Sequence, residues 1–168
     1  GFAGLREFKL ALAQELALGG SPLHRRVNIE DAADDVVGKI ARSAAASVAG
    51  VRSQLDMAVL AAAVDAIASA RHIDIVGAGN TSWFMSTDLQ ARLFRLGLSA
   101  TAWSDYHLQQ VAAGAQKPGG VVIAITHVGG MPSLLDAVDI ARAQGAKIIA
   151  ITRPGTPLAE RADWLLGL

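Results

Sequence analysis

The chain of 168 residues contains no cysteine, which excludes disulfide bonds, thiolate zinc sites, iron–sulfur clusters and cysteine nucleophiles together. It has no excess of either charge, since 15 basic residues balance 15 acidic ones. Because Lys and Arg drive phosphate-backbone binding by releasing counterions, this neutral segment is not itself expected to wrap nucleic acid. No run of about 18 apolar residues is free of charge, so we expect no membrane partner. No targeting sequence is visible, and we expect a cytoplasmic location.

Aromatic residues are also scarce, at 5%, although 52% of the residues are hydrophobic. This balance favours closely packed helices over an all-β sandwich. Apolar residues at helical spacing predict a helix over residues 5–18. Asn28 is predicted to cap a second helix, with acidic first turns, that runs to about Gln54. Asp56 opens a third, Ala-rich helix that is predicted to end near Arg71.

The pattern changes at His72, where short apolar runs begin to alternate with helical stretches predicted over 82–96, 107–115, 132–144 and 158–161. Two of the runs, VVIAI and KIIAI, are β-branched and continuous, as expected for parallel strands covered on both faces. We therefore predict an α/β fold: a doubly wound, mostly parallel five-stranded sheet flanked by helices and preceded by the Ala-rich helices. A flavodoxin-like order of 2-1-3-4-5 places the loops after the first and third strands side by side.

The first of these loops reads VGAGNTS and supplies four candidate ligand-binding residues, Gly79, Asn80, Thr81 and Ser82. Glycines let the backbone approach an anion, and a following helix adds unpaired N–H groups. A dinucleotide fingerprint would have Gly or Ala at position 82 and an acidic residue about 20 positions further on. Asp105 is too far along the chain to serve. Nucleotide binding and a tight turn without a ligand remain the alternatives for this loop.

The second loop reads ITHVGGMPS, and its candidate residues are Thr126, His127, Val128, Gly129, Gly130 and Ser133. Its two glycines free the backbone to form an anion-binding nest, and Pro132 suits the first turn of a helix. A further candidate, His107, follows the second strand. His107 and His127 are each either a donor to a phosphate or carboxylate or an ordinary exposed histidine. No two histidines have metal-ligand spacing, so we predict no metal site.

Longer stretches at matching spacing carry a family resemblance: VGAGNTS, SDYHLQQVAAGAQKPGGVVIAITHVGG and AKIIAITRPGTPLAERADWLL. Residues 36–168 resemble a sugar isomerase (SIS) domain, and more narrowly the effector domain of RpiR/HexR-type bacterial transcriptional regulators. The opening GFAGLREFKLALAQEL is similar to the end of that family's helix-turn-helix domain. We accordingly interpret 1–20 as a helix-turn-helix remnant, 21–35 as a linker and helix start, and 36–168 as a SIS domain. The chain is expected to be a fragment, cut in its last strand.

The resemblance implies a phosphorylated sugar or sugar acid as effector, held by hydroxyl groups of both loops, with no cofactor and no catalytic residue. It further implies DNA binding through a helix-turn-helix domain that lies mostly upstream, and a homodimer or homotetramer to which the Ala-rich helices contribute. The family's second-loop pattern, Ser-x-Ser-Gly-x-Thr, is changed here, because Val128 and Met131 replace two hydroxyl-bearing residues. Two alternatives stay open: a sugar-phosphate isomerase using Glu160 or His127 as its base, and a SIS domain that only oligomerises.

Overall fold

The computed structural model of the chain describes residues 27–167. The chain divides into two compact units, Gly1–Ser53 and Gln54–Leu168. The predicted helix over 5–18, the helix-turn-helix remnant over 1–20 and the start of the predicted linker lie outside the described residues. The described part of the first unit consists of a turn and almost all of helix α1 (Ala33–Gln54).

Helix α1 begins later than the sequence predicts, so the assignment of Asn28 as its cap is wrong. The backbone N–H of Asn28 donates instead to Oδ2 of Asp31 over 2.7 Å, and the N–H of Asp31 donates to the Asn28 carbonyl over 3.1 Å. These two bonds close a turn ahead of the helix. The Nζ group of Lys39 lies 2.6 Å from the same Asp31 carboxylate. The hydrogen bond from Lys39, together with that from the Asn28 backbone, holds the pKa of Asp31 below its ordinary value.

The second unit alternates helices and strands as predicted. In chain order its elements are α2 (Met57–Ser69), β1 (Ile73–Gly77), α3 (Asn80–Arg95), β2 (Ala100–Trp103), α4 (Tyr106–Ala115), β3 (Val121–Ile125), α5 (Pro132–Ala143), β4 (Lys147–Thr152), a short 3-10 helix (Ala159–Arg161) and β5 (Trp164–Gly167). The predicted cap of α2 is confirmed, because the side chain of Asp56 accepts from the backbone N–H groups of Ala58 and Val59. The predicted helix over 158–161 is reduced to a single 3-10 turn.

No single helix within residues 27–167 is both long and apolar enough to cross a membrane, although α1 and α2 taken together meet that criterion by length and composition.

The five strands form one parallel sheet in the order β2-β1-β3-β4-β5, which confirms the predicted doubly wound arrangement. The direction of winding reverses between β1 and β3, and Gly77 at the end of β1 pairs with Ile125 at the end of β3. The carboxyl ends of these two strands are therefore neighbours. The loop that leaves each of them lies at the same edge of the sheet.

The core consists of two apolar layers, one on each face of the sheet. Alternate strand residues point to opposite layers, which explains why β1 and β3 are buried along their whole length. On one face Val76 and Ala124 pack with side chains of α4 and α5. On the other face Ile75 and Ile123 pack with side chains of α2 and α3. Helix α2 thus covers the sheet, and both layers fix the strand ends that carry the candidate site.

Candidate functional site

The turn after β1 is short, because α3 begins at Asn80. Asn80, Thr81 and Ser82 therefore form the first turn of a helix, which begins two residues earlier than the predicted start at Ser82. Gly79 precedes them with φ +84°, a conformation that suits glycine. A Cβ at Gly77 would lie only 2.9 Å from the Cβ of Ser82 and 3.2 Å from the carbonyl oxygen of Ile125. The absence of a side chain at Gly77 thus lets the start of α3 rest against the end of β3.

The second loop leaves β3 at Thr126, whose backbone N–H donates to the carbonyl of Ile151 over 3.1 Å. Gly129 is buried and has φ +66°, whereas Gly130 is exposed and a Cβ there would meet no atom within 4 Å. The carbonyl of Gly129 accepts from the backbone N–H of Leu158 over 2.9 Å. The loop is therefore fastened to the segment that follows β4, and Pro132 then opens α5 as predicted.

The helices at these two loops begin differently from their neighbours. Helices α2 and α4 are capped by the carboxylates of Asp56 and Asp105, but neither α3 nor α5 has a side-chain cap. The N–H groups of a first helical turn have no partner within the helix and carry the positive end of its dipole. Two uncapped helix N-termini therefore lie at the same sheet edge, on adjacent strands, where an anion can accept hydrogen bonds from both.

Two hydroxyl groups accompany these N-termini. Ser82 and Thr126 retain only 8% and 2% of their accessible surface. Within residues 27–167 neither hydroxyl makes a hydrogen bond. Neither hydroxyl oxygen is fully enclosed, because Gln109 Oε1 is the one fully enclosed side-chain oxygen or nitrogen without a partner there. Both oxygens are therefore open to a group that approaches from solvent. Because Gly77 lies against both the first turn of α3 and the end of β3, the two hydroxyls belong to neighbouring segments at the switch point of the sheet. Ligands of such sheets bind in the crevice outside the strand ends at this point.

The other predicted site residues are distributed around this crevice. Thr81, His127, Val128 and Gly130 are exposed, and Ser133 is half-buried in the first turn of α5. His107 is exposed in the first turn of α4, at the end of β2 and so one strand further out. The structure thus brings residues 79–82 and 126–133 to one edge, with His107 at its side. The exposed side chains of Val128 and Met131 leave apolar surface where the family pattern has hydroxyls.

Gln109 supports the site structurally and is not among the residues predicted from the sequence. It is fully buried, and its Nε2 donates to the carbonyls of Gly77 over 3.0 Å and of Trp103 over 2.9 Å. It thereby joins the carboxyl ends of β1 and β2. Its Oε1 is the one enclosed side-chain oxygen or nitrogen without a partner in the described part of the chain. The sequence contained a clue, because Gln109 lies at helical spacing with the buried residues Ala112, Ala113 and Gln116.

The segment after β4 is a second support that was missed. Thr152 and Thr156 are buried with their hydroxyl oxygens 3.4 Å apart, and both lie directly beneath Gly129. The hydroxyl of Thr156 donates to the carbonyl of Arg153 over 2.9 Å. The Nε of Arg153 in turn donates to the carbonyl of His127 over 3.2 Å, which places a guanidinium beside the second loop. This contact joins segments 26 positions apart, and spacing within one element does not reveal it.

Two cavities lie at the other end of the sheet, where the strands begin. The larger, of about 490 Å³, is bordered by Asp74, Trp103 and Gln116. The Asp74 carboxylate accepts from Trp103 Nε1 over 2.7 Å and from Gln116 Nε2 over 2.6 Å, and it lies 3.2 Å from His72 Nε2. Because these polar groups already bond to one another, the network ties β1 to β2 and α4. The candidate site is therefore the carboxyl edge of the sheet, where the hydroxyls of Ser82 and Thr126 make no hydrogen bond to the described residues.

A five-stranded parallel sheet in this order, with a glycine-containing loop after each of the two strands at its switch point, defines a doubly wound α/β domain of flavodoxin-like strand order. Residues 66–167 match the family described as SIS domain. The chain belongs to the SIS-domain family.

Two curated relatives give the comparison more detail. The chain is 35% identical over 165 residues to the HTH-type transcriptional regulator HexR of Escherichia coli, which covers 98% of the chain and 57% of HexR. It is also 35% identical over 163 residues to the bifunctional protein glk of Burkholderia thailandensis, covering 96% of the chain and 25% of that protein. The chain thus spans a quarter to little more than half of these relatives. The HexR match confirms the predicted resemblance to RpiR/HexR-type SIS domains.

A solved structure shares the fold. The NanR protein of Vibrio vulnificus, in complex with ManNAc-6P, superposes with a TM-score of 0.77 at 24% identity, covering 99% of the chain and 58% of that protein. This likeness confirms the α/β architecture predicted from the alternation of apolar runs and helices.

Proposed function

We propose that the chain is the effector-binding and oligomerising domain of a DNA-binding transcriptional regulator, and that its effector is a phosphorylated sugar or sugar acid. One observation carries the proposal: two uncapped helix N-termini lie on adjacent strands together with the hydroxyls of Ser82 and Thr126, which make no hydrogen bond to the described residues. A phosphate monoester is mostly a dianion at neutral pH, so its oxygens act mainly as acceptors and match this set of donors. Hydrogen bonds to a charged group contribute about 1.5–3 kcal/mol each, so a few of them suffice for micromolar affinity.

The regulatory part of the proposal is supported by the relatives. HexR is named as a helix-turn-helix regulator, and the protein of shared fold, NanR, was solved with the sugar phosphate ManNAc-6P. The zero net charge of this chain fits a sensing domain whose DNA contacts belong to a separate basic domain. The effector acts by binding one arrangement of the subunits of a homodimer or homotetramer more tightly. That population shift changes the spacing of the DNA-binding domains.

A thermal-shift panel tests the effector assignment. The probes are hexose 6-phosphates, N-acetylamino-sugar 6-phosphates, phosphorylated ketodeoxygluconate, the matching unphosphorylated sugars, and nucleotides. A ligand at about 100 times its Kd stabilises the folded chain by about 2.7 kcal/mol, and a sugar phosphate should do so while its unphosphorylated partner does not. If no sugar phosphate raises the Tm, the sensor assignment is wrong and a domain that only oligomerises remains. Stabilisation by nucleotides alone supports the nucleotide-binding alternative.

The similarity to the bifunctional protein glk makes an enzymatic role the second candidate. The reaction suited to this fold is aldose–ketose isomerisation, which needs a base within hydrogen-bond reach of the substrate carbon. Neither loop contains an acidic residue, and Glu160 is exposed in the 3-10 turn before β5. Interconversion of any panel sugar phosphate that is lost in Glu160→Gln or His127→Ala would establish the isomerase. Binding without turnover supports the sensor.

A further inference from the structure

Arg153 is positioned at the candidate site by two hydrogen bonds. It follows β4, which pairs with β3, so its backbone emerges at the same sheet edge as the second loop. The hydroxyl of Thr156 donates to the Arg153 carbonyl over 2.9 Å and fixes the backbone. The Nε of Arg153 donates to the carbonyl of His127 over 3.2 Å and directs the guanidinium to that loop. The side chain is exposed, so a ligand in the crevice can reach it.

The guanidinium of Arg153 forms no ion pair within the described part of the chain. Arg92 and Arg161 each pair with an aspartate, Asp88 and Asp139, at 2.7 and 2.9 Å. No carboxylate among residues 27–167 lies within 4.0 Å of the Arg153 guanidinium, and its Nη groups make no hydrogen bond there. A guanidinium presents a planar fork of donors that matches the paired oxygens of a phosphate or carboxylate. Its Nε bond to His127 leaves this fork free.

The second loop has fewer hydroxyl groups than the pattern of the resembled family. Val128 and Met131 stand where the resembled family has hydroxyl groups, while Thr126 keeps a hydroxyl that makes no hydrogen bond to residues 27–167. An anion bound at the N-terminus of α5 would therefore find fewer neutral donors here. It would find a fixed positive charge beside the same loop. Because a charged donor forms a stronger hydrogen bond to an anion than a neutral one, a single arginine can replace two hydroxyls.

We propose that Arg153 binds the anionic group of the effector at the second loop and takes over the role of the missing hydroxyls at positions 128 and 131. This inference rests on the proposed effector function. The group it binds is a phosphate or a carboxylate, because each of them offers a pair of negatively charged acceptor oxygens to a guanidinium. The crevice then combines two sources of positive potential, the uncapped N-terminus of α5 and the guanidinium.

The test compares Arg153→Gln and Arg153→Lys with wild type by isothermal titration calorimetry. The probes are glucose 6-phosphate, gluconate, 6-phosphogluconate and unphosphorylated glucose. The control is Arg95→Gln, which removes an exposed arginine from the last turn of α3, at the opposite end of the sheet. Arg153→Gln should raise the Kd for an anionic probe about tenfold to a hundredfold and flatten its salt dependence. Arg153→Lys should recover part of that loss, and Arg95→Gln should bind as wild type does.

The outcomes separate this inference from the proposed function. A loss confined to glucose 6-phosphate supports phosphate binding by Arg153, and one confined to gluconate supports carboxylate binding. If Arg153→Gln binds like wild type while Thr126→Ala is impaired, the inference is overturned and the effector function stands. If both variants bind glucose and the anionic probes equally less tightly than wild type, Arg153 only holds the loop in place. That result also overturns the inference. Where a different sugar phosphate of the thermal-shift panel raises the Tm, it replaces glucose 6-phosphate as the probe. If wild type binds no anionic probe and no sugar phosphate of that panel, both statements are wrong.

Discussion

A Cβ at Gly129 would lie 2.4 Å from Oγ1 of Thr156, closer than any side chain can approach. The two residues belong to different loops, one after β3 and one after β4, and they meet at the edge of the sheet that carries the candidate site. Gly129 also has φ +66°, in the left-handed region. The second loop thus depends on one glycine for both its conformation and its contact with the neighbouring segment.

Gly129→Ala should therefore lower the free energy of unfolding by about 1–3 kcal/mol, because the added methyl group must displace Thr156 and the backbone must adopt a strained φ. Gly130→Ala is the matched control, since that site is open and its φ is not positive. It should change stability by less than about 0.5 kcal/mol. Urea denaturation measures both. Equal stability of the two variants would show that the loop rearranges freely.

Thr126→Ala should weaken binding of a sugar phosphate about tenfold or more, because it removes a buried hydroxyl that has no other partner among the described residues. Thr126→Ser keeps the hydroxyl and should bind within about threefold of wild type. Thr81→Ala, at an exposed position in the first turn of α3, should weaken binding as well. Calorimetric titration of each variant gives the Kd. Unchanged affinity in both alanine variants would show that these hydroxyls do not contact the ligand.

Gln109→Leu should destabilise the domain by about 2–4 kcal/mol, because it removes the hydrogen bonds to the buried carbonyl of Gly77 and the partly buried carbonyl of Trp103. Its neighbour Gln110 is only half-buried and makes no side-chain hydrogen bond to the described residues, so Gln110→Leu serves as the control. Thermal unfolding should show a markedly lower Tm for the first variant alone. A Gln109→Leu variant as stable as wild type would mean that the ends of β1 and β2 do not need this link.

Asp163→Asn should reduce stability at neutral pH by about 1 kcal/mol and have less effect in acid. Burial raises the pKa of Asp163, but the backbone N–H of Ile148 and the ammonium of Lys147 outweigh it, so the pKa lies below the ordinary 3.8. A lowered pKa gives stability that is present above 3.8 and is lost as the pH falls through the folded value. Urea denaturation at pH 7 and near pH 3 measures this difference.

Asp65→Asn, at an exposed position in α2, should match wild type at both pH values. A constant gap between wild type and Asp163→Asn across the pH range would contradict the assigned ion pair.

Much of this fold follows from local patterns. Strands β3 and β4 were predicted from continuous β-branched runs, which are typical of parallel strands with both faces covered. Asp56 was recognised as a cap because capping depends on neighbours in sequence. Asn28 was wrongly assigned because the nearby carboxylate of Asp31 competes for its backbone. Gln109 and Arg153 were not predicted as residues of the site, because their partners, Gly77 and His127, are distant in the chain. Parallel strand pairing brings them together, and only the three-dimensional fold reveals such contacts.

The most direct test of the proposed effector site is to map by NMR where the ligand binds. Backbone amide chemical shifts of the isotope-labelled chain should be followed during titration with the sugar phosphate that raises the Tm most. The largest shifts should fall on residues 79–82 and 126–133, because their N–H groups and hydroxyls contact the phosphate in the proposed site. Shifts centred on the cavity around Asp74 and Gln116, or no shifts at saturating sugar phosphate, would contradict it.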